Sequence, residues 1–148
     1  MRVTTSLLLL LSSFYLLASG CGQEKLPQDA PAPRIRYTAI QTGDTAILWL
    51  QQSVATFKGQ MEIHYKKGYK DSGDVRGGIR GDTLFGDYLF QSYGLPKWQR
   101  NPLMLLQKSG KLVMGGGEFK LTMGIPHFNR RFPIDFDEEK RFVFKKSQ

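Results

Sequence analysis

The chain carries one thiol, Cys21, and two imidazoles, His64 and His127, so its means for covalent or metal chemistry are few. A zinc site would need further sulfur or nitrogen ligands at short spacing, and no CxxC or HxxxH pattern is present. His64 shares the polar side of an alternating stretch with Glu62 and reads as a surface or lumen residue, while His127, in Ile125-Pro126-His127-Phe128 and ahead of Pro133, reads as a loop residue. Nucleophilic hydrolysis needs a serine or thiol beside a base, and the G-x-S-x-G elbow is missing. The carboxylate pairs Asp82 with Asp87 and Asp135 with Asp137 could trade protons, yet turns recruit aspartate for backbone hydrogen bonds in any case. Met114-Gly115-Gly116-Gly117-Glu118 lacks both the GK[ST] ending of a phosphate cradle and a helical pattern after it, which predicts a bulge or hairpin turn. These residues predict no catalytic group, no metal and no cofactor.

Cys21 is informative for where it stands. Arg2 supplies a charged start, Leu7 to Leu17 an apolar run broken by Ser12 and Ser13, and Ala18-Ser19-Gly20 a small-residue cleavage site, so residues 1–20 have the layout of a signal peptide. Leu16-Leu17-Ala18-Ser19-Gly20-Cys21 resembles a lipobox, in which cleavage falls between Gly20 and Cys21 and the cysteine sulfur receives a diacylglyceryl group. Ala18 and Gly20 also satisfy ordinary signal cleavage, so plain secretion and an uncleaved membrane anchor are the alternatives. Acylation would remove a free thiol that an oxidising compartment would draw into intermolecular disulfides. Because one acyl chain holds poorly and two or three hold essentially for good, a lipidated Cys21 would anchor the domain without help from its folded part. Gly22, where an aspartate would retain some lipoproteins in an inner membrane, leans toward the outer membrane, with the domain facing the periplasm or the outside.

From the anchor the chain passes through 21–33, with Pro27, Pro31 and Pro33 among polar residues, a segment without apolar periodicity that reads as an extended linker. Its reach at about 3.1 Å per residue is roughly 35 to 40 Å. Residues 34–148 form a single domain, large enough to bury a core without disulfides.

Sixteen glycines, ten phenylalanines and six tyrosines in short runs predict an all-β chain. Met61, Ile63 and Tyr65 alternate with Gln60, Glu62, His64 and Lys66, as a strand with one wet face requires, and Phe119, Leu121 and Met123 repeat the pattern. Further strands are expected over 36–40, 45–50, 74–80, 83–90, 103–108, 111–114 and 141–145, with turns at Thr42-Gly43-Asp44, Asp71-Ser72-Gly73, Arg80-Gly81-Asp82 and Ser109-Gly110. About 8 to 10 short antiparallel strands on consecutive hairpins make a meander, which hides its edges by closing into a lipocalin-like barrel or a two-layer sandwich.

The central stretch reads Gly77-Gly78-Ile79-Arg80-Gly81-Asp82-Thr83-Leu84-Phe85-Gly86-Asp87-Tyr88-Leu89-Phe90. With Lys70-Asp71, Gly43-Asp44-Thr45 and Phe57-Lys58-Gly59, it resembles a family of small, uncharacterised Gram-negative lipoproteins with a G-x-[IL]-x-G-D-x-L-x-G-x-Y-x-F signature. That resemblance spans Tyr37 to Glu118 and implies a signal peptide, a lipid anchor and a small β-barrel, but no activity and no site residues.

Removing Arg2 with the leader leaves 20 basic against 13 acidic residues, a net charge of +7. Residues 21–93 hold 9 basic and 8 acidic, whereas 94–148 hold 11 and 5, so the excess lies in the C-terminal part. An exported domain does not meet nucleic acid, so the partners such a field attracts are the anionic lipids or glycans of the envelope. The candidate contact residues are Lys97, Trp98 and Arg100, placed in a loop, and Arg130 and Arg131; Trp49 reads as core and Tyr93 as a further aromatic near a ligand. The expected function is a lipid-anchored, non-enzymatic binding or structural module. The alternatives are a periplasmic inhibitor of a hydrolase such as lysozyme, which the basic charge disfavours against a basic target, and a carrier of a small apolar ligand.

Overall fold

Alternation decides the strands, and the strands decide the core. The computed structural model describes residues 32–147, so the leader, Gly20, Cys21 and most of the linker lie outside the described residues. Ten strands follow one another: β1 (Ile35–Gln41), β2 (Asp44–Gln52), β3 (Thr56–His64), β4 (Lys70–Arg80), β5 (Thr83–Ser92), β6 (Trp98–Lys108), β7 (Lys111–Met114), β8 (Phe119–Thr122), β9 (Ile125–Phe128) and β10 (Val143–Lys146). Eight of them form a closed antiparallel barrel in the order β1-β10-β7-β6-β5-β4-β3-β2. In β2, Ala46, Leu48 and Leu50 point inward and are buried, while Thr45, Ile47, Trp49 and Gln51 point outward; the same period of two runs through β3 and β5. The inward residues make one apolar cluster, including Leu48, Met61, Leu84, Tyr88, Leu105 and Phe144, which fills the interior as expected for eight strands.

Such a narrow barrel bends its strands sharply, and the bend needs inward positions without side chains. Gly77 and Gly86 face each other across β4 and β5. A Cβ on Gly86 would overlap the Arg76 carbonyl oxygen and come within 2.7 Å of the Gly77 Cα, so glycine at this pair is required by close backbone approach. The turns at Thr42-Gly43 and Ser109-Gly110 have positive φ at both residues, the geometry that matches strand twist in two-residue hairpins.

Four expectations about strands and turns change. Asp71-Ser72-Gly73 is not a turn: β4 already runs from Lys70, and the chain reverses over residues 65–69, where Gly68 has φ +90°. The loop assigned to residues 94–100 ends early, because Trp98, Gln99 and Arg100 pair with Gln91, Phe90 and Leu89 as the start of β6. His127 belongs to β9, its Nδ1 2.6 Å from the Lys120 carbonyl oxygen and its Nε2 3.1 Å from the Thr122 hydroxyl. Finally, the meander is broken after β7. Residues 116–141 run outside the barrel ladder, β8 and β9 pair only with each other although β9 lies beside β6, and the chain returns as β10 between β7 and β1. All four residues of β8 are exposed, so the alternation of Phe119 and Leu121 marks a shared face that the barrel does not cover.

The glycine run explains the departure. Gly116 exchanges two backbone hydrogen bonds with Asp135, at 2.8 and 2.7 Å. The Arg141 guanidinium lies against Gly116 where a side chain would be, and bonds Asp135 Oδ2 at 3.1 and 3.3 Å. Thus Gly115 to Gly117 make room for the returning strap, with Ile134, Phe136 and Arg141 against them. Leu112 and Val113 are consecutive and both buried, as expected where a strand is covered on both faces.

Candidate functional site

Antiparallel topology gives the barrel two ends. The chain enters at one, which holds the start of β1, the turns 53–55, 81–82 and 109–110, and the end of β10; the far end holds the turns 42–43, 65–69 and 93–97.

Asp71 lies inside the far end with only 9% of its surface exposed, and is the one buried acidic residue among those described. The Tyr65 hydroxyl donates to its Oδ2 at 2.8 Å, and the Ser92 hydroxyl donates to its Oδ1 at 2.6 Å. Gln99 Nε2 in turn donates to Ser92 Oγ at 3.1 Å, so one network ties the end of β3 to β4, β5 and β6. Nearby, the Tyr88 hydroxyl donates to the Met61 carbonyl at 3.1 Å, and its ring stacks on Phe90 at 4.6 Å. Burial first, then the hydrogen bond to Asp71 and its charge, pushes the Tyr65 phenol well above its ordinary range. Burial does the same to Tyr88, with Asp71 adding to it, and burial alone raises Tyr37.

The Ser92 hydroxyl is committed to Asp71, and the arrangement ties the turns of this rim together. His64 sits on the outer face, its Nε2 2.9 Å from Glu62 Oε2. Burial would raise the Glu62 carboxyl, but the His64 hydrogen bond and the Lys70 charge outweigh it and hold it below its ordinary value. Asp87 is paired with Arg100, Asp82 accepts from the Thr83 hydroxyl at 3.0 Å, and Asp137 pairs with Lys140 at 2.8 Å. Among the described residues no three of His, Cys, Asp and Glu converge as metal ligands would.

Above the network the rim is aromatic and cationic. Tyr69, Tyr93, Leu95 and Trp98 are each at least half exposed, and Lys66, Lys67 and Lys97 belong to the same two turns. The backbone N–H of Tyr93 donates to the Lys70 carbonyl at 2.7 Å, joining the two turns that carry the rim. The sequence candidates therefore separate. Lys97 and Trp98 belong to this rim; Arg100 is spent on Asp87 on the outer wall; Arg130 and Arg131 are exposed on the turn after β9, away from the rim turns in the chain. Trp49, expected in the core, faces outward and lies under the Arg34 guanidinium at 5.7 Å. Asp71, Tyr65, Ser92 and Tyr69 were missed. Had β4 been started at Lys70, Asp71 would have shared inward parity with Val75, which is the signal that locates it.

Two outcomes test the network. Asp71→Ala strands two hydroxyl donors and is expected to cost about 1 to 3 kcal/mol, read as a lower thermal midpoint; an unchanged midpoint would contradict the role given to Asp71. The raised phenols keep their protons in the fold, whereas unfolded tyrosine ionises near pH 10, so the stability they confer is complete below about pH 10 and drains away as pH rises further. Phenolate absorbance of Tyr37, Tyr65 and Tyr88 should appear only together with loss of the circular dichroism of the sheet; ionisation of these three in an intact fold would contradict this.

No family model, curated protein or solved structure matches this chain.

Proposed function

We propose that the protein is a lipid-anchored component of the bacterial envelope, held in the outer membrane through Cys21, whose barrel presents a non-enzymatic binding rim to anionic glycans. The observation that carries this reading is polarity. β1 begins at the entry end, so Ala32 to Arg34, the first described residues, lead into the barrel there, while the aromatic and cationic rim of Tyr69, Tyr93, Leu95, Lys97 and Trp98 stands at the opposite end. A tether at one pole and a contact surface at the other let the anchor fix location and the linker supply reach. Exposed aromatic faces stack on sugar rings at low entropic cost, and the lysines favour carboxylates or phosphates on those sugars. The closed barrel is also the architecture of carriers for small apolar molecules. Here the apolar cluster occupies the interior with the protein's own side chains, which favours contact at the surface.

Metabolic labelling with a clickable fatty acid in the native host should mark the wild type and not Cys21→Ser; equal labelling of both overturns the anchor. On an immobilised uronic-acid polysaccharide, Trp98→Ala with Tyr93→Ala should weaken retention of the full chain by about tenfold, the effect of losing about 1.4 kcal/mol of stacking. Undiminished retention removes the rim from the reading.

A further inference from the structure

We propose that the mouth of the barrel at its entry end binds the phosphate group of an anionic membrane lipid. Beyond the last buried apolar residue of three strands, the next inward position is polar: Gln52 after Leu50, Gln107 after Leu105 and Lys146 after Phe144. With Lys108, Lys111 and Tyr37 they line a cleft of about 250 Å³, which contains no acidic side chain in its wall. Lys108 reaches out to Glu138 at 3.0 Å, whereas Lys111 and Lys146 form no ion pair among the described residues.

The Gln52 amide marks the mouth as a ligand site. Its Nε2 is buried and has no hydrogen-bond acceptor, alone in this among the described side chains. Native structures retain few such orphaned donors, and one carried by a residue in the wall of a cationic cleft calls for an anionic oxygen from outside the chain. Two unpaired ammonium groups and an amide N–H suit a phosphate, which offers several acceptor oxygens to donors arriving from different strands. The cleft has room for the phosphate and its glycerol but not for acyl chains.

The source of that phosphate follows from where the chain enters. Gln51 Nε2 donates to the Ala32 carbonyl at 3.0 Å, so the first described residue of the chain is held at this end of the barrel. Val54, 97% exposed at the tip of the adjacent turn between β2 and β3, sets an apolar side chain on the same end. Choosing a lipid over a soluble phosphate rests on the anchored reading above, since a tether at this end turns it toward the headgroups, where basic residues gain most.

The full chain, isotope-labelled and held in dodecyl maltoside, would be titrated with dihexanoyl-phosphatidylglycerol, dihexanoyl-phosphatidylcholine and inorganic phosphate while the Gln52 side-chain amide resonance is followed. The phosphatidylglycerol should shift that resonance saturably, the phosphatidylcholine at least tenfold more weakly, and the double variant K111Q/K146Q should raise the Kd at least tenfold with its backbone spectrum unchanged. A response to inorganic phosphate without one to the lipid, no saturable response to any of the three, or equal binding by K111Q/K146Q would overturn the proposal. The same titration on the full chain carrying Cys21→Ser reads binding without an acyl group, so failure here and failure of fatty-acid labelling are separate results.

Discussion

Gly86→Val is expected to destabilise the barrel by about 3 kcal/mol or more, and in a domain of this size to lower the thermal midpoint by on the order of 10 to 20 °C. Gly86 faces Gly77 across β4 and β5, and any side chain there meets the Arg76 carbonyl, an atom of the backbone that no rotamer change can move aside. Relief requires the two strands to part, which breaks their ladder and disturbs the stacked Tyr88 and Phe90 on the same strand. Gly110→Ala is the matched control. Nothing lies within 4 Å of its Cβ, and only its φ of +77° resists, at a cost of about 1 to 2 kcal/mol. Urea unfolding of the two variants reads the difference; a Gly86→Val domain within about 1 kcal/mol of wild type would refute the close-approach account.

Phe144→Ala should cost about 3 to 5 kcal/mol through the cavity it leaves. Phe144 is fully buried in the interior, yet it sits on a strand of four residues that joins β1 through Tyr37↔Lys146 and Thr38↔Lys145, and β7 through Val143↔Val113 and Phe144↔Leu112. Closure of the barrel depends on this short strand, and most of what holds it is the phenyl ring. Amide exchange should therefore accelerate first on β1 and β7, at the edges that β10 covers, before the ladder from β2 to β6 responds. Uniform acceleration across all eight strands would show that β10 opens only with the whole barrel, contrary to this expectation.

Part of the site was readable in the residues themselves. Lys97 and Trp98, a cation and an aromatic beside Gly94 and Pro96, were legible as contact residues, and the structure puts them on the rim. The buried carboxylate beneath them was not, because Asp71-Ser72-Gly73 has the composition of a turn and only pairing with Ser92, Gln91 and Phe90 makes it a strand. The Gln52 mouth was hidden for a related reason. Its parity follows from Leu48 and Leu50, but its want of a partner appears only when β7 and β10 are in place around it.

The sequence alone determined the all-β class, the two-residue turns at Thr42-Gly43 and Ser109-Gly110, and which residues share a face, because period-two alternation and positive φ act within a few residues of chain. Tertiary structure alone decided what covers each face. The alternation in β8 equals that in β3, yet Phe119 and Leu121 stand in the open while Met61 and Ile63 are buried, and Trp49 faces outward beside Leu48 and Leu50. Eight strands enclose just enough space for the side chains they bring, so once β10 had taken the place between β7 and β1, neither β8 nor β9 had an interior to enter.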